Sequence, residues 1–115
     1  MEDRFMNWQD SKKDVHYFGV FDGHAGPVTA HQLQEHMHML IKDNPNYREG
    51  NIRTAIVESF KTMDLSLNQY AKMTRDISGS TAIVVIIDKS NIYCVSKFFI
   101  TDLEFINMFY IPRLL

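Results

Sequence analysis

Tyr17-Phe18-Gly19-Val20-Phe21-Asp22-Gly23-His24-Ala25-Gly26 is the stretch on which the fold of this chain turns. Aromatic and β-branched residues run from Val15 to Phe21 with little alternation, which predicts a strand buried on both faces. The run ends abruptly in Asp22-Gly23-His24, and Gly23 and Gly26 supply the backbone freedom for a turn. Such a strand end delivers a carboxylate, a backbone carbonyl and an imidazole to one point. Oxygen ligands of this kind suit Mg²⁺ or Mn²⁺, and a carboxylate beside a histidine suits acid/base chemistry. The same residues also serve as plain turn chemistry between a strand and a helix. The stretch alone leaves both readings open.

Working outward, Pro27 suits a helix's first turn, where its missing N–H costs nothing. Ala30, Leu33, Met37, Leu40 and Ile41 then recur at helical spacing and predict an amphipathic helix to about Lys42. Asp43-Asn44-Pro45-Asn46 stops it. Ile52, Ile56, Phe60, Met63, Leu67 and Tyr70 mark the apolar stripe of a second helix, from about Asn51 to Met73. The small residues Ser78-Gly79-Ser80-Thr81-Ala82 feed the β-branched run through Ile87, which reads as a central strand. Asp88-Lys89-Ser90-Asn91 is a hairpin turn, and Ile92 to Val95 the returning strand. On the other side of the opening stretch, residues 1–14 are polar and mixed, with Phe5, Met6 and Trp8 as their large apolar residues. The expected class is α+β: two long helices packed on a mainly antiparallel sheet.

Composition narrows the function classes. The 115 residues make at most one domain, or part of a larger one, and 45% apolar content is ordinary for a globular chain. A net charge of −2 with no basic stripe gives no electrostatic case for nucleic acid. The single cysteine, Cys94, cannot form an internal disulfide and reads as a buried free thiol. With no basic leader and apolar core at the N-terminus, the expected location is cytoplasm or nucleus. Residues 98–115 are apolar but carry Asp102, Glu104 and Arg113, so no transmembrane helix is expected there. His36 and His38 on the first helix do not share a face, which argues against a zinc site.

Three strings, in order, carry a resemblance: Met1-Glu2-Asp3, Phe21-Asp22-Gly23-His24-Ala25-Gly26 and Ser78-Gly79-Ser80-Thr81-Ala82. Together, with two helices between the second and third, they resemble the metal-dependent protein serine/threonine phosphatases of type 2C (the PPM type). The match runs over residues 1–95. The resemblance implies a partial α-β-β-α sandwich and hydrolysis of phosphoserine and phosphothreonine on phosphoprotein substrates. It implies that Asp22 bridges two Mg²⁺ or Mn²⁺ ions and that Gly23 lends its carbonyl to one of them. Glu2 and Asp3 correspond to an acidic pair that holds the metals directly or through water. His24 corresponds to the general acid toward the leaving oxygen.

The chain also departs from that pattern. Family members carry a phosphate-gripping arginine a few residues before the Met-Glu-Asp string, and its role does not carry over to Arg4. After Val95 the family continues into a Gly-Asp-Ser-Arg turn, whereas here the sequence reads Ser96-Lys97-Phe98-Phe99. The later aspartates that complete the metal pair have no counterpart. Residues 1–95 are therefore expected to be the N-terminal portion of such a domain and residues 96–115 a divergent tail. Two functional expectations follow: a phosphatase whose activity is impaired in this shortened form, or a non-catalytic isoform or interaction fragment that binds a partner through an exposed sheet. Oligomeric state is not legible.

Overall fold

The computed structural model describes the backbone of residues 2–99 and 106–112 and the side chains of residues 3–99. In chain order the elements are β1 (Glu2–Asp10), β2 (Val15–His24), α1 (Val28–Asp43), α2 (Pro45–Arg48), α3 (Ile52–Thr74), β3 (Gly79–Ile87), β4 (Asn91–Phe99) and β5 (Ile106–Pro112). The strands form one five-stranded sheet in sequence order, every neighbouring pair antiparallel. α1 and α3 lie across one face of that sheet.

The expected pair of long helices, the central strand β3 and the hairpin at Asp88–Asn91 are all present. Leu33, Met37 and Ile41 of α1 and Ile52, Ile56, Phe60 and Met63 of α3 bury their stripes against the sheet. Phe21, Ala82 and Val84 meet them from the strands, and the Phe60 and Phe99 rings stack at 5.8 Å. Each such large side chain, fully withdrawn from water, contributes about 1.5–3 kcal/mol before entropy is counted. The stop at Asn44-Pro45 proves to be a four-residue helical turn, α2, with the Asn44 side chain accepting from the Asn46 N–H at 2.9 Å.

The expectation for β2 needs correcting. Burial along Val15–His24 alternates, with Val15, Tyr17 and Phe21 covered and Phe18, Val20 and Asp22 exposed. The helices cover one face only, and among the described residues nothing lies on the other. Cys94 sits on that open face and is half-buried rather than enclosed. β4 runs through Val95 to Phe99, and β5 pairs with it from Lys97↔Ile106 to Asn91↔Pro112. The stretch expected to be a divergent tail thus extends the sheet by a strand; its acids Asp102 and Glu104 lie outside the described residues. Among the described residues no helix is long and apolar enough to cross a membrane.

Candidate metal centre

The sheet register assembles the acidic corner. β1 and β2 pair with Asp3 opposite Asp22 and Glu2 opposite Gly23, and on the other flank Asp22 faces Thr81 of β3. Side chains alternate along strands, so Asp3, Asp22, Thr81 and Phe98 form one row across the open face. His24, two residues beyond Asp22, is exposed next to this row, with its ring edge-on to Phe98 at 6.4 Å. Directly opposed antiparallel residues carry their Cβ atoms about 4.5–5.5 Å apart, and like charges so placed repel.

A hydrogen bond to the Asp22 carboxylate, reinforced by slight desolvation and by Asp22's negative charge, holds the Asp3 carboxyl above its usual range. Two solvent-facing carboxylates directly opposite each other in the register form an oxygen-donor pair that a small hard cation would satisfy.

The turn beyond the strand is held from a distance. Ala25 has φ 55° and Gly26 φ 123°, both in the left-handed region. A Cβ on Gly26 would stand 3.4 Å from the Ser78 Cβ, an ordinary contact, so it is the backbone conformation that favours glycine there. Pro27 offers no side-chain cap to α1. Ser78 supplies it instead: its Oγ accepts from the Thr29 N–H at 3.1 Å, and its carbonyl accepts from Thr29 Oγ1 at 2.9 Å. Asp76 in turn accepts from the Ser78 N–H at 2.8 Å and from its hydroxyl. Ser80 and Ala82 are fully buried beneath the corner.

Of the residues singled out by sequence, Asp3, Asp22, Gly23 and His24 come together at one end of the sheet. Glu2 joins them by register, while its side chain lies outside the described ones. Arg4 goes elsewhere, donating to the Gln34 side chain of α1 at 3.2 Å. The sequence reading missed Thr81, whose Oγ1 lies 3.5 Å from the Asp22 carbonyl, and Phe98, which flanks His24. Both would have followed from placing Thr81 and Phe98 in register with Asp22. Among the described residues no group of three or more His, Cys, Asp or Glu converges on one point. The donor set fits a hard divalent cation in chemistry, through two carboxylates and a nearby backbone carbonyl, and falls short of a closed protein cage.

Comparison with known proteins places the chain in a family. The family model for protein phosphatase 2C matches residues 1–96. Protein phosphatase 2C homolog 2 of Schizosaccharomyces pombe is 36% identical over 93 residues, covering 80% of this chain and 25% of the relative. Protein phosphatase 2C 1 of Paramecium tetraurelia is 36% identical over 104 residues, covering 81% of this chain and 35% of the relative. Among solved structures, a serine-threonine phosphatase 2C from Toxoplasma gondii superposes with a TM-score of 0.73 at 19% identity, covering 83% of this chain and 37% of that one. A bacterial serine phosphatase superposes with a TM-score of 0.80 at 12% identity, over 96% of this chain and 64% of that one. The chain belongs to the protein phosphatase 2C family. It spans about a fifth to a third of the length of the curated relatives it matches.

Proposed function

We propose that this chain carries the first metal-holding corner of a phosphatase that removes phosphate from serine and threonine of phosphoproteins, and that in this form its turnover is weak. The observation that carries the reading is Asp3 directly opposite Asp22 at the end of β2. Asp3 and Asp22 would hold Mg²⁺ or Mn²⁺, with the Gly23 carbonyl and Glu2 completing the contribution of β1 and β2. Bound there, a divalent cation neutralises phosphoryl oxygens and acidifies water.

The chain's own residues supply the rest. His24 stands two residues from Asp22 on the same face, where a proton held on its imidazole can pass to a departing seryl or threonyl oxygen. Phe98 flanks the ring and limits its orientations. Ser78 and Thr29 fix the start of α1 and so the turn that follows His24. Weak turnover follows from the donor count and from exposure. Two described carboxylates give few ligands, and a corner open to water screens the charge interactions that stabilise a transition state.

A phosphothreonine peptide tests this. Phosphate release should be slow, require Mn²⁺ and vanish in Asp22→Ala. Release that persists in a chelator or in that variant would remove the support. A folded chain that binds Mn²⁺ without turnover would favour the non-catalytic fragment.

A further inference from the structure

We propose that Asp76 is a positioning residue for His24: acting through Ser78, it fixes both segments that bound that histidine, the first residue of β3 and the first turn of α1. The inference rests on the reading of His24 as the proton donor of a phosphatase.

His24 is the last residue of β2, and its place is set from two sides. In the register it stands opposite Gly79, the first residue of β3. Along the chain it leads through Ala25 and Gly26, both left-handed, into α1. Asp22 is held differently, because it lies inside the pairing, with Asp3 on one flank and Thr81 on the other. Strand ends open more readily than paired interiors. Whatever anchors the segment before Gly79 therefore bears on His24 and far less on the two carboxylates.

That segment, residues 75–78, has little apolar anchorage. Arg75 is left-handed at φ 59°, and Ile77 is 83% exposed. Hydrogen bonds hold it instead. Asp76 Oδ1 accepts from the Ser78 N–H at 2.8 Å and from the Ser78 hydroxyl. A carboxylate accepts only, so the hydroxyl hydrogen of Ser78 is committed to Asp76 and its lone pairs face Thr29. The Thr29 N–H donates to Ser78 Oγ at 3.1 Å, and Thr29 Oγ1 donates to the Ser78 carbonyl at 2.9 Å. Without Asp76 the hydroxyl could turn its hydrogen toward Thr29 Oγ1, 2.9 Å away, and the loop would lose two ties. α1 has no acidic residue in its first turn and no side-chain cap from Pro27. Ser78 is its cap, and Asp76 sets the orientation of that cap.

Nuclear Overhauser effects between the His24 and Phe98 rings, edge-on at 6.4 Å, read the position of His24 in the whole chain without metal or substrate. Asp76→Ala should lose them, while Mn²⁺ still broadens the Asp3 and Asp22 amides first. Asp76→Asn keeps an acceptor oxygen for both Ser78 bonds and should restore the ring contact. Asp88→Ala removes an acceptor of the same kind at the far end of β3, where Asp88 takes the Ser90 and Asn91 N–H groups. It should lower stability and leave the ring contact intact. In phosphate release from a phosphothreonine peptide, Asp76→Ala should lower kcat by about tenfold to a hundredfold with the Mn²⁺ dependence unchanged. A ring contact that survives in Asp76→Ala, that is lost equally in Asp88→Ala, or that is not restored in Asp76→Asn would overturn the proposal. An unaltered chain that shows the ring contact without turnover counts against the phosphatase reading alone, and the contact in the variants still decides the role of Asp76.

Discussion

Asp64→Ala removes the carboxylate that stands 3.6 Å from the ammonium of Lys97, whose side chain is only 1% exposed. Lys97 projects from β4 toward the helix layer, where its ammonium also lies 5.4 Å from the Phe99 ring. At an effective dielectric near 20, two unit charges at that distance attract by about 4.6 kcal/mol gross. Withdrawing each ion from water costs several kcal/mol, so the pair as a whole contributes little net stability. Removing one partner exposes the asymmetry, because the remaining charge keeps its desolvation cost. Asp64→Ala should therefore lose about 3–5 kcal/mol, a large share of the 5–15 kcal/mol expected for a domain. The double variant Asp64→Leu, Lys97→Met replaces both charges by apolar side chains of similar reach and should recover most of that loss. Urea unfolding followed by circular dichroism reads both, as a shift of midpoint at constant slope. A loss below 1 kcal/mol for Asp64→Ala, or a double variant as unstable as the single, would refute the reasoning.

Gly19→Ala should cost about 1–3 kcal/mol in the same assay, because the new Cβ would stand 2.8 Å from Phe21 Cζ and 2.9 Å from Tyr17 Oη. Tyr47→Phe removes the 2.8 Å hydrogen bond to Asp10, which is the leading cause of that carboxyl's lowered pKa. The Asp10 contribution is present above the ordinary carboxylate pKa and is lost as pH falls through the lowered value; the variant should lose about 1 kcal/mol at neutral pH and part of that acid-side slope. Asp22→Asn should lower the Asp3 pKa, read by carboxyl NMR. With its folded pKa raised, Asp3 makes the metal-free protein gain stability as pH falls through the window above 3.8, and the variant should flatten that gain.

How far the sequence could be read is seen best at β2. Its residue types marked a strand, while its Asp-Gly-His end left an oxygen-ligand site and a plain strand-to-helix turn both open. What they could not show was that only one face would be covered. Phe18 and Val20 are as apolar as Tyr17 and Phe21, so composition predicted burial on both sides, while the helices reach one. The helices were legible because a stripe at three- and four-residue spacing has one interpretation. β5 was not, since Met108-Phe109-Tyr110-Ile111 carries no alternation and no glycine or asparagine turn announces it. The Asp3–Asp22 contact depended on register, which is set by the β1–β2 pairing and by the tight turn at Asp10, whose side chain accepts from the Lys12 and Lys13 N–H groups. No local pattern encodes that distance. The tethering of Thr29 by Ser78, 49 residues away, was equally invisible to local reading.

The most direct test of the acidic corner as a cation site is a Mn²⁺ titration followed by amide NMR of the whole chain. Signals of Asp3, Asp22, Gly23 and Thr81 should broaden first, and Asp22→Ala should abolish that selectivity while the remaining spectrum keeps its dispersion. Broadening that begins elsewhere, or that is unchanged in Asp22→Ala, would contradict the assignment.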